Sequence, residues 1–88
     1  MCMKESYFLY VLRSDKAPRH YIGISENPLK RLNQHNGGLT KSTKPYRPWR
    51  LVYQLEYASK TEARKREVYL KRTARARKEL FDSIDRVR

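Results

Sequence analysis

The chain has 88 residues, and 21 Lys and Arg against 9 Asp and Glu give it a formal net charge of +12. So short a chain builds one modest core, which excludes multi-domain enzymes, large dinucleotide-binding folds and barrel enzymes of roughly 250 residues. No apolar run approaches the roughly 20 residues needed to span a bilayer, so no membrane partner is expected.

Residues 1–6 have neither the apolar segment nor the cleavage site of a secretory signal, and the one cysteine, Cys2, has no partner. A cytoplasmic protein without disulfides or structural zinc is expected. Tyr7-Phe8-Leu9-Tyr10-Val11-Leu12 is aromatic, branched and too short for a free-standing helix, which predicts a buried central strand. A polar connection from Arg13 to Arg19 leads to His20-Tyr21-Ile22-Gly23-Ile24, a second strand paired antiparallel with the first. Glycine weakens a strand, so Gly23 marks a place where a ligand or another backbone approaches closely.

Asn27-Pro28 supplies an N-cap and a proline at the first helical position, and Gly37-Gly38 stops the helix, which predicts a helix over about 28–36. Arg31 and His35, four apart, share one stripe of it, beside the side that carries Leu29, Leu32, Asn33 and Asn36. Leu39 to Pro48 is a basic, hydroxyl-rich loop with two prolines and no core. Leu51, Tyr53, Leu55 and Tyr57 alternate with Gln54 and Glu56, predicting a half-exposed third strand over 50–57. Ser59-Lys60-Thr61-Glu62 matches a capping box and opens a second helix, whose inward stripe is Ala63, Glu67, Leu70 and Ala74. After Thr73 a third helix buries Ala76, Leu80, Phe81, Ile84 and Val87. The order strand, strand, helix, strand, helix, helix, without linker or repeat, predicts a single α+β domain over 1–88 with its core at about 7–84. Its architecture is a three-stranded antiparallel sheet flanked by helices, expected in two layers.

An excess of positive charge costs stability by self-repulsion and calls for a polyanionic partner. The basic residues are spread over every segment rather than gathered on an amphipathic helix with Trp and Phe, which favours nucleic acid over a membrane surface. The field strengthens along the chain: residues 60–88 hold 11 basic and 5 acidic side chains.

Glu67 stands where an apolar side chain is expected, and a carboxylate turned toward a core needs a partner or a metal. It either pairs with Lys71 on the surface, worth about a few tenths of a kcal/mol, or offers Mg2+ a hard oxygen ligand on a rigid helix. Tyr10 and Tyr21, on paired strands near Gly23, are either core packing or phenols that accept or relay a proton from an attacking water. Arg31 and His35 suit phosphate neutralisation and proton transfer, and equally a solvated helix face. Lys41, Lys44, Arg47 and Arg50 flank prolines and Trp49, and form either a loop that binds a nucleic-acid backbone or a charged loop anchored by an indole.

Taken in order, Phe8-Leu9-Tyr10, Tyr21-Ile22-Gly23, Arg31 with His35 on one helix, and a helical Glu67 before Leu70-Lys71 resemble a GIY-YIG nuclease domain. Arg47-Pro48-Trp49-Arg50-Leu51-Val52-Tyr53, Glu62-Ala63 and the basic helical end are similar to the small stand-alone bacterial members of that superfamily. Phe8 replaces the first motif glycine, and no asparagine follows Asn36, whereas many nuclease relatives carry one after the glutamate. The resemblance implies a three-stranded antiparallel sheet flanked by helices and metal-dependent hydrolysis of a DNA phosphodiester. By position it implies Tyr10 and Tyr21 as the motif tyrosines, Arg31 as the phosphate-binding arginine and His35 as an aid to proton transfer. It further implies Glu67 as the ligand of a single Mg2+ or Mn2+, and Gly23 as the point where the DNA backbone approaches; Lys41, Lys44 and Arg47 are the other expected DNA contacts. A monomeric endonuclease-type phosphodiesterase acting on DNA is therefore expected, with RNA left open. The alternative is a basic nucleic-acid-binding module of the same fold without turnover.

Overall fold

Four consecutive apolar residues, Leu9 to Leu12, cannot be hidden by covering one face of a strand, because successive side chains point to opposite sides. The computed structural model describes residues 6–87, without the side chain of Val87, so Cys2 and the predicted burial of Val87 lie outside the described residues. It buries all four from Leu9 to Leu12. Their strand, β1 (Tyr7–Ser14), runs between β2 (His20–Ser25) and β3 (Trp49–Tyr57) and is antiparallel to both. Leu9 and Val11 pack with Ile22, Leu70 and Ile84, whereas Tyr10 and Leu12 pack with Trp49 and, at the rim, Leu32. One face is thus covered by α1 (Pro28–Asn36) and the other by α2 (Lys60–Arg72) and α3 (Ala74–Val87). The expected two layers are three, because β1 is apolar on both sides. Each aliphatic side chain so buried contributes roughly 1.5–3 kcal/mol.

β3 departs from its predicted alternation. Val11 pairs with Tyr53 and Leu12 with Leu51, which leaves Val52 as an extra residue in a bulge. Leu51 therefore joins the Trp49 side of the sheet while Val52 and Tyr53 join the Leu9 side. Leu55, predicted on the covered face, remains 45% exposed.

The loop before β3 carries core, contrary to expectation. Thr43 is buried and Tyr46, in a single 3-10 turn at Lys44–Tyr46, packs against the Tyr10, Leu12 and Trp49 cluster. Two bonds pin it: the Trp49 indole Nε1 donates to Thr43 O at 2.9 Å and Ser14 Oγ to Tyr46 O at 2.6 Å.

The helix signals in the sequence hold. Asn27 Oδ1 accepts from Lys30 N at 3.1 Å, and Gly38 takes the left-handed φ of 80° beyond the end of α1. Ser59 Oγ accepts from Glu62 N at 3.3 Å, the first half of the capping box, while the Glu62 carboxylate lies 3.7 Å from Lys65 Nζ. Ala63 and Leu70 are buried on α2, but Ala74 is exposed because the helix stops at Thr73 and Ala74 starts the next one. Arg77 Nη1 donates to Leu70 O and Lys71 O at 3.2 and 2.8 Å, satisfying carbonyls at that break. Ala76, Leu80, Phe81 and Ile84 face the core as predicted. Among the described residues no helix is long and apolar enough to cross a membrane.

Candidate active site

Antiparallel pairing sets Tyr10 opposite Gly23 and Leu12 opposite Tyr21, so both phenols stand on the face that α1 covers. Their ring centroids are 6.3 Å apart. One turn of α1 separates Arg31 from His35, and the helix delivers both to these rings. The His35 ring is 4.6 Å from that of Tyr21 and 6.4 Å from that of Tyr10, and Arg31 is near enough for its charge to act on both phenols. Four residues scattered between positions 10 and 35 thus meet at one place.

Gly23 is buried, and a Cβ there would lie 2.7 Å from Tyr10 Oη and 2.8 Å from Cζ. The close approach this glycine permits is that of the Tyr10 ring from within the protein, in place of the external backbone expected from the sequence.

Tyr10 and His35 are both 0% exposed, which overturns the solvated helix face as a reading of His35. Tyr10 Oη lies 3.3 Å from His35 Nε2, and His35 Nδ1 lies 2.9 Å from Thr43 Oγ1. Burial pushes the Tyr10 hydroxyl above its ordinary pKa, against the opposing pull of Arg31. Burial, and then the charge of Arg31, push His35 below its ordinary value, so the imidazole is neutral near pH 7. Arg31, held charged first by the Tyr10 hydroxyl, donates through Nη1 to Gln34 Oε1 at 2.9 Å. Its Nε–H is buried without an acceptor among the described residues. A buried donor left without a partner costs about 1–3 kcal/mol. Tyr21 and Arg31 are half-buried, so the solvent side of the cluster belongs to them.

Glu67 has the Lys71 partner that one reading gave it, and it also turns inward. Its Oε2 lies 3.1 Å from Lys71 Nζ, yet its side chain is only 16% exposed. It lines a groove of about 390 Å3 with Arg64, Lys71 and Arg72, and the Lys71 ammonium also lies 5.9 Å from the Tyr21 ring centroid. Among the described residues no three His, Cys, Asp or Glu side chains gather into a metal cage. One hard carboxylate oxygen fits a divalent cation that takes the rest of its shell from water and substrate oxygens, as Mg2+ does, and does not fit a structural metal.

The three loop cations expected to touch DNA lie elsewhere. Lys41, Lys44 and Arg47 line a cleft of about 530 Å3 together with Lys16 and Asn36, beyond the C-terminal end of α1. Arg47 is partly committed there, with Nε donating to Lys44 O at 3.0 Å and Nη1 to Asn36 O at 3.4 Å.

Thr43 is the site neighbour that sequence reasoning missed. Inside a run of Thr, Lys and Ser it has no periodicity to single it out, and only its contact with His35 reveals it.

Comparison with known proteins agrees with this geometry. Residues 6–80 match the GIY-YIG catalytic domain. The chain is 35% identical over 77 residues to the UPF0213 protein YazA of Bacillus subtilis (strain 168), covering 86% of this chain and 77% of that protein. It is 37% identical over 75 residues to a UPF0213 protein of Staphylococcus aureus (strain Mu3), covering 84% of this chain and 90% of that one. A 55-residue stretch, 54% of this chain, is 42% identical to the structure-specific endonuclease subunit SLX1 of Meyerozyma guilliermondii and spans 18% of it. The solution NMR structure of a UPF0213 protein from Bacillus halodurans superposes with a TM-score of 0.54 at 29% identity, covering 90% of this chain and 84% of that one. The phenol pair, the helix that brings Arg31 to it, and a match over residues 6–80 agree: this chain belongs to the GIY-YIG domain family, a nuclease superfamily.

Proposed function

We propose that this protein is a metal-dependent endonuclease-type phosphodiesterase acting on DNA. The observation that carries the reading is the half-buried Arg31 guanidinium, whose charge acts on both phenols and whose Nε–H has no partner among the described residues. In phosphoryl transfer the charge to be stabilised lies on the phosphate oxygens, and a preorganised cation is worth most in a partly dry site. Arg31 meets that charge. Tyr21, the phenol at the solvent side, orients the attacking water. Tyr10 and His35, both fully buried, act through hydrogen bonds and hold the constellation in place. Glu67 would hold one Mg2+ or Mn2+, which supplies charge neutralisation at the phosphate. Lys16, Lys41, Lys44 and Arg47 take backbone phosphates farther along the duplex.

One observation favours the second reading, a nucleic-acid-binding module without turnover: Lys71 already occupies Glu67 Oε2. Incubation of the protein with supercoiled plasmid in Mg2+, in Mn2+ and with chelator separates the two. Metal-dependent nicking supports the nuclease; retarded but intact plasmid in both metals supports the module.

A further inference from the structure

The two nitrogens of His35 have different partners, and each partner constrains where the ring carries its proton. At Nε2 the partner is Tyr10 Oη, 3.3 Å away. Tyr10 is fully buried, so its hydroxyl proton needs an acceptor inside the protein, and the one within reach is Nε2. At Nδ1 the partner is Thr43 Oγ1 at 2.9 Å, and the Thr43 hydroxyl has its own acceptor in Thr40 O at 3.3 Å. A hydroxyl whose proton is engaged offers a lone pair, and a lone pair calls for an N–H at Nδ1. Both ends give the same answer.

We infer that Thr43 holds His35 as the Nδ1–H tautomer, leaving Nε2 to receive the Tyr10 hydroxyl, and is thereby a positioning residue for Tyr10. The loop that supplies Thr43 is built for this. Thr43 is 2% exposed, its carbonyl accepts from the Trp49 indole at 2.9 Å and its N–H donates to Thr40 O at 3.2 Å, so the hydroxyl has little freedom to turn away. A fixed outer partner that sets ring orientation and tautomer is a known device of functional histidines. The catalytic part of this inference rests on the nuclease reading; the tautomer does not.

The test is 15N correlation spectroscopy of the His35 side chain at about pH 8, where a neutral imidazole is read directly. Wild type should show a protonated Nδ1 and a bare Nε2. Thr43→Val, which keeps the branched shape and removes the hydroxyl, should lower the Nδ1–H fraction, and Thr43→Ser should restore it. A protonated Nε2 in wild type overturns the inference even if Thr43→Val fails to fold, as does an unchanged tautomer in a folded Thr43→Val. In plasmid nicking, Thr43→Val should lower kcat about tenfold at unchanged KM, with Thr43→Ser close to wild type. An unchanged kcat would remove the positioning role. A wild type that shows the Nδ1–H form but does not nick DNA would retract the nuclease reading and leave the tautomer assignment standing.

Discussion

Lys71 Nζ lies 3.1 Å from Glu67 Oε2, with the glutamate side chain 16% exposed and the lysine 51%, so the carboxylate turns inward and the ammonium closes over it. A helical pair of this spacing contributes only about 0.3–0.5 kcal/mol, too little to withhold a carboxylate from a doubly charged cation. Glu67→Gln should therefore change stability by less than about 1 kcal/mol without metal. In Mn2+ at about a hundredfold excess over Kd, wild type should gain about 2.7 kcal/mol and the variant nothing. Calorimetry of both proteins with and without Mn2+ decides; equal gains would remove Glu67 as the ligand.

Gly23 and Tyr10 leave no room for each other's growth. A Cβ at Gly23 would lie 2.7 Å from Oη and 3.1 Å from Cε1 of a ring that is fully buried and bonded to His35. Gly23→Ala should cost about 1–3 kcal/mol by overpacking. Because Oη is the nearest atom, Tyr10→Phe in the same chain should recover part of that cost, a coupling that a double-mutant cycle in urea measures. Strictly additive changes would show that the ring moves aside freely.

The elements were legible because local chemistry marks them: Asn27-Pro28 and Gly37-Gly38 bracket α1, and four apolar residues in a row mark β1 as central. Misreadings arose where a long-range event overrides the local pattern. The Val52 bulge moves Leu51 and Tyr53 to opposite faces, and no residue type in β3 announces it. Loop 39–48 looks like solvated chain, yet Trp49 and Ser14 draw Thr43 and Tyr46 inward. At the site, strand pairing was enough to bring Tyr10 near Tyr21, while the burial of His35 depends on a loop that periodicity does not describe.

His35 links stability to pH. Its folded-state pKa lies below the unfolded value of about 6.5, so the unfolded chain takes up a proton first. The stability of the neutral buried ring is fully present above about 6.5 and is lost as pH falls below it, until the folded-state pKa is reached. Melting temperature should therefore be flat between about pH 7 and 8 and decline below about 6.5, with a contribution of at most about 1.4 kcal/mol per pH unit from this one proton. His35→Gln should reduce that slope. An identical slope in the variant would assign the loss to other groups.

Binding should be electrostatic. If roughly four to six phosphates are neutralised, log K against log salt should fall with a slope of about −4 to −5 for duplex DNA. Lys41→Ala with Lys44→Ala removes two exposed cations from the cleft beyond α1, and should make the slope shallower by about 1.8. Fluorescence titrations across a salt series measure this. A slope unchanged by the double substitution would place the DNA away from that cleft.

Arg31 should behave in the opposite way from those lysines. Among 21 basic residues one charge is a small part of the total field, so Arg31→Ala should weaken DNA affinity by no more than a few-fold, about 1 kcal/mol. Its guanidinium, however, is positioned beside the two phenols, with Nη1 bonded to Gln34 Oε1 at 2.9 Å and a buried Nε–H still unsatisfied. Loss of such a preorganised donor typically lowers kcat by about 100- to 1,000-fold, because the charge it meets exists only as the phosphate passes through its transition state. Arg31→Lys should recover little, since a single ammonium cannot reproduce a planar fork of donors. Single-turnover cleavage at saturating DNA, paired with equilibrium binding, separates the two effects. A variant that binds weakly and cleaves at the wild-type rate when saturated would show that Arg31 is one more backbone contact, and would take from the nuclease reading the observation that carries it.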